Sequence, residues 1–441
     1  MQMMIPAPVA RALQRLQQAG YEAGIVGGCV RDRLMGREPQ DYDITTAALP
    51  EQTAAVFADA RVIETGLRHG TVTVLLDGEP LEITTYRIDG EYSDGRRPDS
   101  VRFTPSLTED LARRDFTMNA MAYAPDTGLV DPFGGQADIL AGCIRCVGEP
   151  ERRFTEDALR ILRALRFASV LGFSIEPETE AALRRCAPLL HRISAERIAA
   201  ELKKLLCGAD VRRVLLRYAD VLGEVLPEIL PMVGFDQKNP YHCYDILEHS
   251  AAAVEAIAPE PELRFAALLH DIGKPDCFFT DERGVGHFYG HAARSAELAD
   301  AILTRLRFDR AGRERIVTLV RRHDRPIEVT ETAVRRALNR LSPSGFSDLL
   351  ALMRADCLAQ APAYRSRLET YDRLEAMAKE ILAAGQCFSL RDLAVSGRDL
   401  GLPPGPAVGK ALASLLDSVM DGRVENRREA LLEYLRQHSI K

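Results

Sequence analysis

The sequence predicts an α+β chain, in which a head of mixed strands and helices is followed by a long helical body. Three observations carry this. Between about residues 20 and 130, short β-rich runs mix with helical stretches. Two of those runs, TVTVLL (residues 71–76) and LEITTY (residues 81–86), are separated by Asp77-Gly78-Glu79-Pro80, a hairpin signal. After Pro150 strand signals almost vanish, and apolar residues recur at helical spacing between Gly and Pro breaks.

In chain order, residues 1–20 read as an amphipathic helix. They lack the cationic start and apolar core of a secretory signal. The run AGIV (residues 23–26) reads as a strand that stops at Gly27-Gly28, before a helix-like CVRDRLMG. Asp41 and Asp43 follow, flanking Tyr42; on a strand, residues i and i+2 share a face. TEDALRILRALRFASVLGF (residues 155–173) reads as a helix with Thr155 as its N-cap. The clearest linker-like breaks lie at residues 226–242 and 401–409. The reading divides the chain into a head (1–145), a helical neck (146–235), a His- and Asp-bearing body (236–365) and a helical tail (366–441).

A length of 441 residues fits two to four domains, and 46% hydrophobic with 27% charged residues is ordinary for a soluble protein. No apolar run is long enough to span a bilayer, so no membrane partner is expected. Nine scattered cysteines read as reduced thiols in a cytoplasmic protein, and the Cys143–Cys146 pair as two packed thiols, since no second pair stands at zinc-site spacing. A net charge of −7 argues against indiscriminate coating of nucleic acid. The positive charge is mostly arginine, which suits bidentate contacts to phosphates and base edges.

Two adjacent carboxylates repel unless a cation sits between them. Glycines at Gly27 and Gly28 let backbone N–H groups approach a phosphate, and Arg31, one helical turn on, reaches the same place. Carboxylates beside a phosphate cradle are what Mg²⁺ needs. Glu82, on the neighbouring β-run, is equally readable as a third carboxylate or as an exposed strand acid.

GGCVRDRLMGREPQDYD (residues 27–43), RRDFTMNAMAY (residues 113–123) and EDALRILRALRFA (residues 156–168) resemble the three signature blocks of class II tRNA nucleotidyltransferases and their poly(A) polymerase relatives, in the polymerase β superfamily. The resemblance implies a polymerase β-like head, an all-α neck, an HD body and a tail. It implies template-independent addition of the 3′-terminal CCA to tRNA from CTP and ATP, by two-metal nucleotidyl transfer with release of pyrophosphate. It makes Asp41 and Asp43 catalytic Mg²⁺ ligands, Gly28 and Arg31 phosphate-binding, and Arg114 nucleotide-binding; Asp115 and Asn119 shape the ribose pocket. Arg163 and Arg166 match positions that contact phosphate or ribose. Glu156, Arg160, Arg163 and Phe167 share one helical face with Asp157 at its edge, which also describes an ion-pair-laced surface. By the resemblance, Asp157 and Arg160 read the base: C and A offer an exocyclic amino donor beside a ring-nitrogen acceptor, whereas G and U present the reverse. A full-length segment between Tyr86 and Leu111 goes, in the family, with addition of the terminal A.

FAALLHDIGKP (residues 265–275) places His270-Asp271 at the end of an apolar helix, in the company of His249, His287, His291, His323, Asp324 and Asp356. Imidazole and carboxylate together suit Mn, Fe, Ni, Co or Zn. The order resembles the HD phosphohydrolases, which implies a metal on His249, His270, Asp271 and Asp356, with His242 as a weaker substitute for His249. A degenerate HD fold kept as scaffold is the other reading. In the tail, backbone N–H groups near Gly405 and Gly409 read either as a phosphate site for the acceptor stem or as a plain helix start, and the resemblance places tRNA contacts there. Two alternatives stand beside CCA addition. A poly(A) polymerase of the same family would carry a basic C-terminal extension where this sequence reads LRQHSIK; the other is a chain acting mainly as an HD phosphohydrolase or RNA-binding module.

Overall fold

A computed structural model describes residues 3–66, 70–90, 100–239 and 243–438. The chain forms two compact units, Met1–Pro227 and Glu228–Lys441. No helix among the described residues is long and apolar enough to cross a membrane. All nine cysteines are free thiols.

The first unit is built on a seven-stranded mixed sheet. Its order is Arg61–Gly66, Thr71–Leu76, Glu79–Thr85, Asp43–Thr46, Ala23–Val26, Ala122–Ala124 and Gly128–Val130. Only the Asp43–Thr46 and Glu79–Thr85 pair runs parallel. Strand Ala23–Val26 is buried along its length, which explains its continuous apolar run. The expected hairpin forms with a tighter turn than the sequence suggested. Asp77 and Gly78 both take positive φ (54° and 84°), and Glu79 and Pro80 already pair with Leu76 and Leu75. Helix Ala7–Gln18 lays Val9, Leu13 and Leu16 on a core that includes Ile25, Ile44, Val72, Val74 and Ile83.

Register places the chemistry at one edge of this sheet. Val26 pairs with Asp43, so the Gly27 turn and the Asp43 carboxylate leave the sheet side by side. Ile44 pairs with Ile83, which sets Glu82 beside Asp43. Asp41 precedes the strand, which starts at Asp43; the two aspartates therefore do not share a strand face as the i, i+2 spacing predicted.

Past the sheet the unit is helical. The third motif contains a break rather than one helix. Helix Pro150–Glu156 ends at Asp157, whose backbone is extended (φ −146°, ψ 102°), and helix Leu159–Leu171 follows. Pro150 starts the first of these at its N1 position, so Thr155 is interior and not an N-cap. At the break, Asp157 Oδ1 accepts from the N–H of Leu159, the first residue of the second helix, at 3.1 Å.

The second unit packs helices Ile246–Ala256, Pro261–Leu269, His291–Arg305, Arg310–Arg322 and Glu331–Leu358, the last bent at Ser342–Pro343. A capping box at Asp245 and Glu248 starts the helix that carries His249. Helices Pro406–Met420 and Arg428–Gln437 share a separate apolar cluster around Leu415, Leu416 and Leu431. The tail loop before Pro406 and the first turn of that helix line an open groove that includes Gly405 and Gly409.

Candidate functional site

In the first unit a cleft of about 730 Å³ gathers residues distant in sequence. Gly27, Gly28, Arg31, Asp41, Asp43, Arg114, Asp115, Asn119, Arg163, Arg166 and Phe167 all line it. Gly27 has to be glycine: its φ is 83°, and an added Cβ would stand 2.7 Å from a terminal nitrogen of Arg114. The turn thereby brings the Arg114 guanidinium against the start of helix Gly28–Leu34.

Arg114 is half-buried, 3.9 Å from Asp110, and its buried Nε has no hydrogen-bond partner. Burial and the neighbouring Arg113 hold its pKa below the ordinary arginine value. A guanidinium with a buried, unsatisfied donor beside an open cleft suits an anionic ligand. Beside it the balance is reversed. Burial pushes the Asp43 carboxyl up; Arg114 opposes this, and the charges of Glu82 and Asp41 add to it. Three carboxylates sharing one arginine call for a cation, so the donor set fits a divalent ion.

Asp115 ties the sheet to the helices. It accepts from Phe116 N (2.8 Å), Asn119 Nδ2 (3.1 Å) and Arg163 Nε (2.8 Å). Burial alone would raise its pKa; Arg163 and the Asn119 hydrogen bond outweigh it and hold the carboxyl well below the usual range. Asn119 in turn accepts from Arg31 at 2.7 Å. Arg31, Arg163 and Arg166 then surround one ring, with guanidinium carbons 5.1, 5.5 and 4.2 Å from the Phe167 centroid. Arg166 is also 3.2 Å from Glu201, whose Oε2 has no hydrogen-bond partner.

Asp157 and Arg160 do not line this cleft. Arg160 bonds Glu156 (2.7 Å) and the carbonyls of Arg153 and Arg113. Asp157 accepts from Arg197 at 2.7 Å. Arg197 had no signal in the sequence, because its partner is 40 positions away and no motif contains it. The segment between Tyr86 and Leu111, expected to go with terminal A addition, lies partly outside the described residues (91–99), as does His242.

The second unit brings His249, His270, Asp271 and Asp356 together as expected. His249 Nε2 lies 3.3 Å from His270 Nε2, 3.4 Å from Asp271 and 3.1 Å from Asp356. His291 and His323 join them, which the sequence reading did not assign. They lie 3.3 and 3.6 Å from the other oxygen of Asp271, and their Nε2 atoms are 3.3 Å apart. Two ligand groups thus share Asp271, and within each the ligand atoms lie within 4.8 Å of one another. Each imidazole is oriented from behind: Nδ1–H of His249, His270, His291 and His323 donates to the carbonyl of Ala359, Ala267, Phe288 and Val320. The Nε2 atoms face one another in two pairs, and neutral imidazoles in this arrangement would offer their Nε2 lone pairs to a metal ion. The carboxyl of Asp271 is held well below its usual range: burial would raise it, and His270 and Lys274 win. His287 stands apart, on Asp281 at 3.0 Å.

Comparison with known proteins places each part. Residues 23–145 match the poly A polymerase head domain, residues 172–232 the "Probable RNA and SrmB- binding site of polymerase A", residues 241–361 the HD domain, and residues 350–435 a second domain of tRNA nucleotidyltransferases. The CCA-adding enzyme of Geobacillus stearothermophilus is 36% identical over 434 residues, 97% of this chain and 96% of its own. That of Limosilactobacillus fermentum is 34% identical, covering 97% of this chain and 95% of its own. The crystal structure of the Bacillus stearothermophilus CCA-adding enzyme in complex with CTP superposes with a TM-score of 0.73 at 32% identity, covering 99% of this chain and 98% of that one.

Because its pKa is depressed in the fold, Asp115 contributes stability that is fully present above about pH 4 and is lost as pH falls below that. Asp115→Asn should cost about 1–3 kcal/mol at pH 7. Denaturant unfolding repeated from pH 7 to pH 3 should show the gap between wild type and variant closing toward acid.

Proposed function

From the premise that the chain belongs to the CCA-adding enzymes, we infer the chemistry of its two sites. The protein adds the 3′-terminal CCA to tRNA, using CTP and ATP and releasing pyrophosphate. The observation that carries the mechanism is the single cleft in which carboxylates and arginines from all three motifs converge. In each addition the tRNA 3′-hydroxyl oxygen bonds to the α-phosphorus of the triphosphate. The bond from that phosphorus to the bridging oxygen breaks, pyrophosphate leaves, and the hydroxyl loses its proton.

Asp41 and Asp43 would hold Mg²⁺, with Glu82 adding negative charge. Bound there, divalent ions supply Lewis-acid stabilisation of the charge that develops on the phosphate. Gly28, Arg31 and Arg114 bind the triphosphate, and Phe167 with Arg163 and Arg166 forms the opposite wall. Asp115 orients Arg163 and Asn119 orients Arg31, and the two shape the proposed ribose pocket. Asp157 and Arg160 are the proposed base readers. In that role Asp157 exchanges Arg197 for the exocyclic amine of C or A, while its bond to Leu159 N keeps it in place. The tail groove around Gly405 and Gly409 is the proposed tRNA contact. A reaction on tRNA that consumes CTP and ATP fits the cytoplasmic location expected from the sequence.

The decisive assay incubates tRNA lacking its 3′ end with Mg²⁺ and each triphosphate, singly and together, and reads product length. Full CCA should form only with CTP and ATP. Asp41→Ala or Asp43→Ala should abolish addition while tRNA binding persists; near-normal turnover in either would remove the metal assignment. Asp157→Asn offers a donor as well as an acceptor, so UTP and GTP should gain on CTP by roughly ten- to a hundredfold in kcat/KM. Unchanged ratios across the four triphosphates would leave Asp157 as the partner of Arg197 alone.

A second activity is favoured by the inward-facing imidazole nitrogens of the HD body. We assign a transition-metal site (Mn, Fe, Ni, Co or Zn) to His249, His270, Asp271 and Asp356, with His291 and His323 placed to hold a second ion on Asp271, and a phosphohydrolase role. Asp271→Ala should lose the bound metal by elemental analysis and keep CCA addition. Wild-type protein that holds no metal after purification with Mn²⁺, Ni²⁺ or Co²⁺ would make the HD body a scaffold.

A further inference from the structure

The strand Ala23–Val26 has a cavity at each end. Its Val26 end runs into the Gly27 turn and the arginine-lined cleft. Its Ala23 end borders a separate pocket of about 300 Å³, and no residue lines both. The end of helix Ala7–Gln18 and the strand Ala122–Ala124 complete this second pocket. Its charge is the reverse of the cleft's. Two exposed carboxylates, Glu22 and Asp126, line it, and no lysine or arginine does so among the described residues. Asp126 accepts from Gln17 Nε2 at 2.9 Å, which sets its direction without neutralising it.

Two acids alone make no site, since exposed carboxylates are commonly just hydrated. Tyr86 adds an independent observation. Its side chain lines the same pocket and is fully buried, and its hydroxyl has no hydrogen-bond partner among the described residues. A buried hydroxyl left unpaired is costly. Tyr123, also buried and lining the pocket, shows the ordinary case: its hydroxyl accepts from the Met3 N–H at 3.0 Å. Burial pushes the Tyr86 hydroxyl up from its ordinary pKa, and the charges of Glu22 and Asp110 add to this. The phenol is therefore a neutral group within electrostatic reach of Glu22, with oxygen lone pairs to offer a donor. An ammonium group carries three N–H donors, enough for the phenol oxygen and a carboxylate together. Leu107, Val130 and the half-buried Tyr21 ring supply apolar walls for a short hydrocarbon chain, and a cation beside a tyrosine ring is further stabilised. An anion would meet two carboxylates, and a bare metal ion would leave most of the volume unfilled.

We propose that this pocket binds a small aliphatic ammonium ion, its nitrogen between the Tyr86 hydroxyl and the Glu22 carboxylate and its chain along Leu107 and Val130. The site is independent of the metal and nucleotide readings above, because it shares no residue with the cleft and belongs to the first unit.

The test titrates the full chain, free of RNA, with putrescine and with spermidine in a calorimeter. Butane-1,4-diol, which keeps the chain of putrescine and carries no charge, is the control. Saturable one-site binding of at least one amine is expected, with none of the diol. Glu22→Gln and Tyr86→Phe should each weaken it by roughly tenfold. Glu178→Gln, at an exposed acid elsewhere in the same unit, should leave it unchanged. Tyr86→Phe should also raise the Tm of the amine-free protein, because it removes the unpaired hydroxyl. Absence of amine binding, or equal binding of the diol, overturns the proposal. So does an equal loss in Glu178→Gln, which marks diffuse attraction to the negative chain. A Tyr86→Phe protein with lower Tm and unchanged affinity assigns the hydroxyl to a buried water and overturns it as well. Should Tyr86→Phe fail to fold, Glu22→Gln decides alone, since that side chain is exposed and unchanged CCA addition will show the variant intact.

Discussion

The arginine-lined cleft depends on one buried carboxylate. Asp115 bonds Arg163 directly and reaches Arg31 through Asn119, so two guanidiniums from different motifs are set by a single side chain. The same carboxylate accepts from the N–H of Phe116, which fixes the backbone that carries it. Phe116 meets the Phe167 ring edge-on at 5.9 Å, and Phe167 is the ring around which Arg31, Arg163 and Arg166 gather. Register in the sheet, hydrogen bonds at Asp115 and packing at Phe167 therefore act on the same few arginines. A buried charge is retained only when it is paired and hydrogen-bonded, and Asp115 is both.

The two candidate sites solve opposite problems. The cleft has few carboxylates of its own beyond Asp41, Asp43 and Glu82, so the Mg²⁺ proposed there would take further ligands from substrate phosphates. It is rich in arginines for those phosphates. The HD body instead supplies nearly everything from protein side chains, with four oriented imidazoles around Asp271 and Asp356 close by. Such a set suits a transition metal bound independently of substrate. Lys274, at 2.7 Å from Asp271, balances part of the charge.

Much of this was legible in the sequence, and the parts that were not share a cause. The strand at residues 23–26, the hairpin and the His270-Asp271 pair are written in local patterns: a buried apolar run, a run of turn residues, a helix end followed by glycine. His249 and Asp356 came from the resemblance to HD phosphohydrolases, and the fold brings them beside that pair. The expectation for Thr155 failed because a proline at residue 150 starts a helix that apolar spacing alone does not delimit. Asp157 looked like part of a helical face because i+3 and i+4 spacing assumes an unbroken helix, and the chain breaks at that residue. Arg197 on Asp157, and His291 with His323 on Asp271, are tertiary pairings. The histidines were visible as residues; their inward Nε2 atoms were not, because orientation comes from hydrogen bonds to the carbonyls of Phe288 and Val320.

The arginine chemistry also explains how a chain of net charge −7 handles polyanions. Four arginines of the cleft wall each have a carboxylate near them: Asp32 for Arg31, Asp110 for Arg114, Asp115 for Arg163 and Glu201 for Arg166. A lysine spent on such a pair would offer a single charged nitrogen, whereas a guanidinium presents five donors and keeps some for a second partner. The carboxylates lower the mutual repulsion of four crowded cations and fix their directions before a triphosphate arrives. Binding then adds contacts to groups already ordered, which limits the entropy lost on association. Arginines are gathered at the cleft by placement rather than by an excess of basic residues, and the net charge of −7 disfavours indiscriminate binding of nucleic acid.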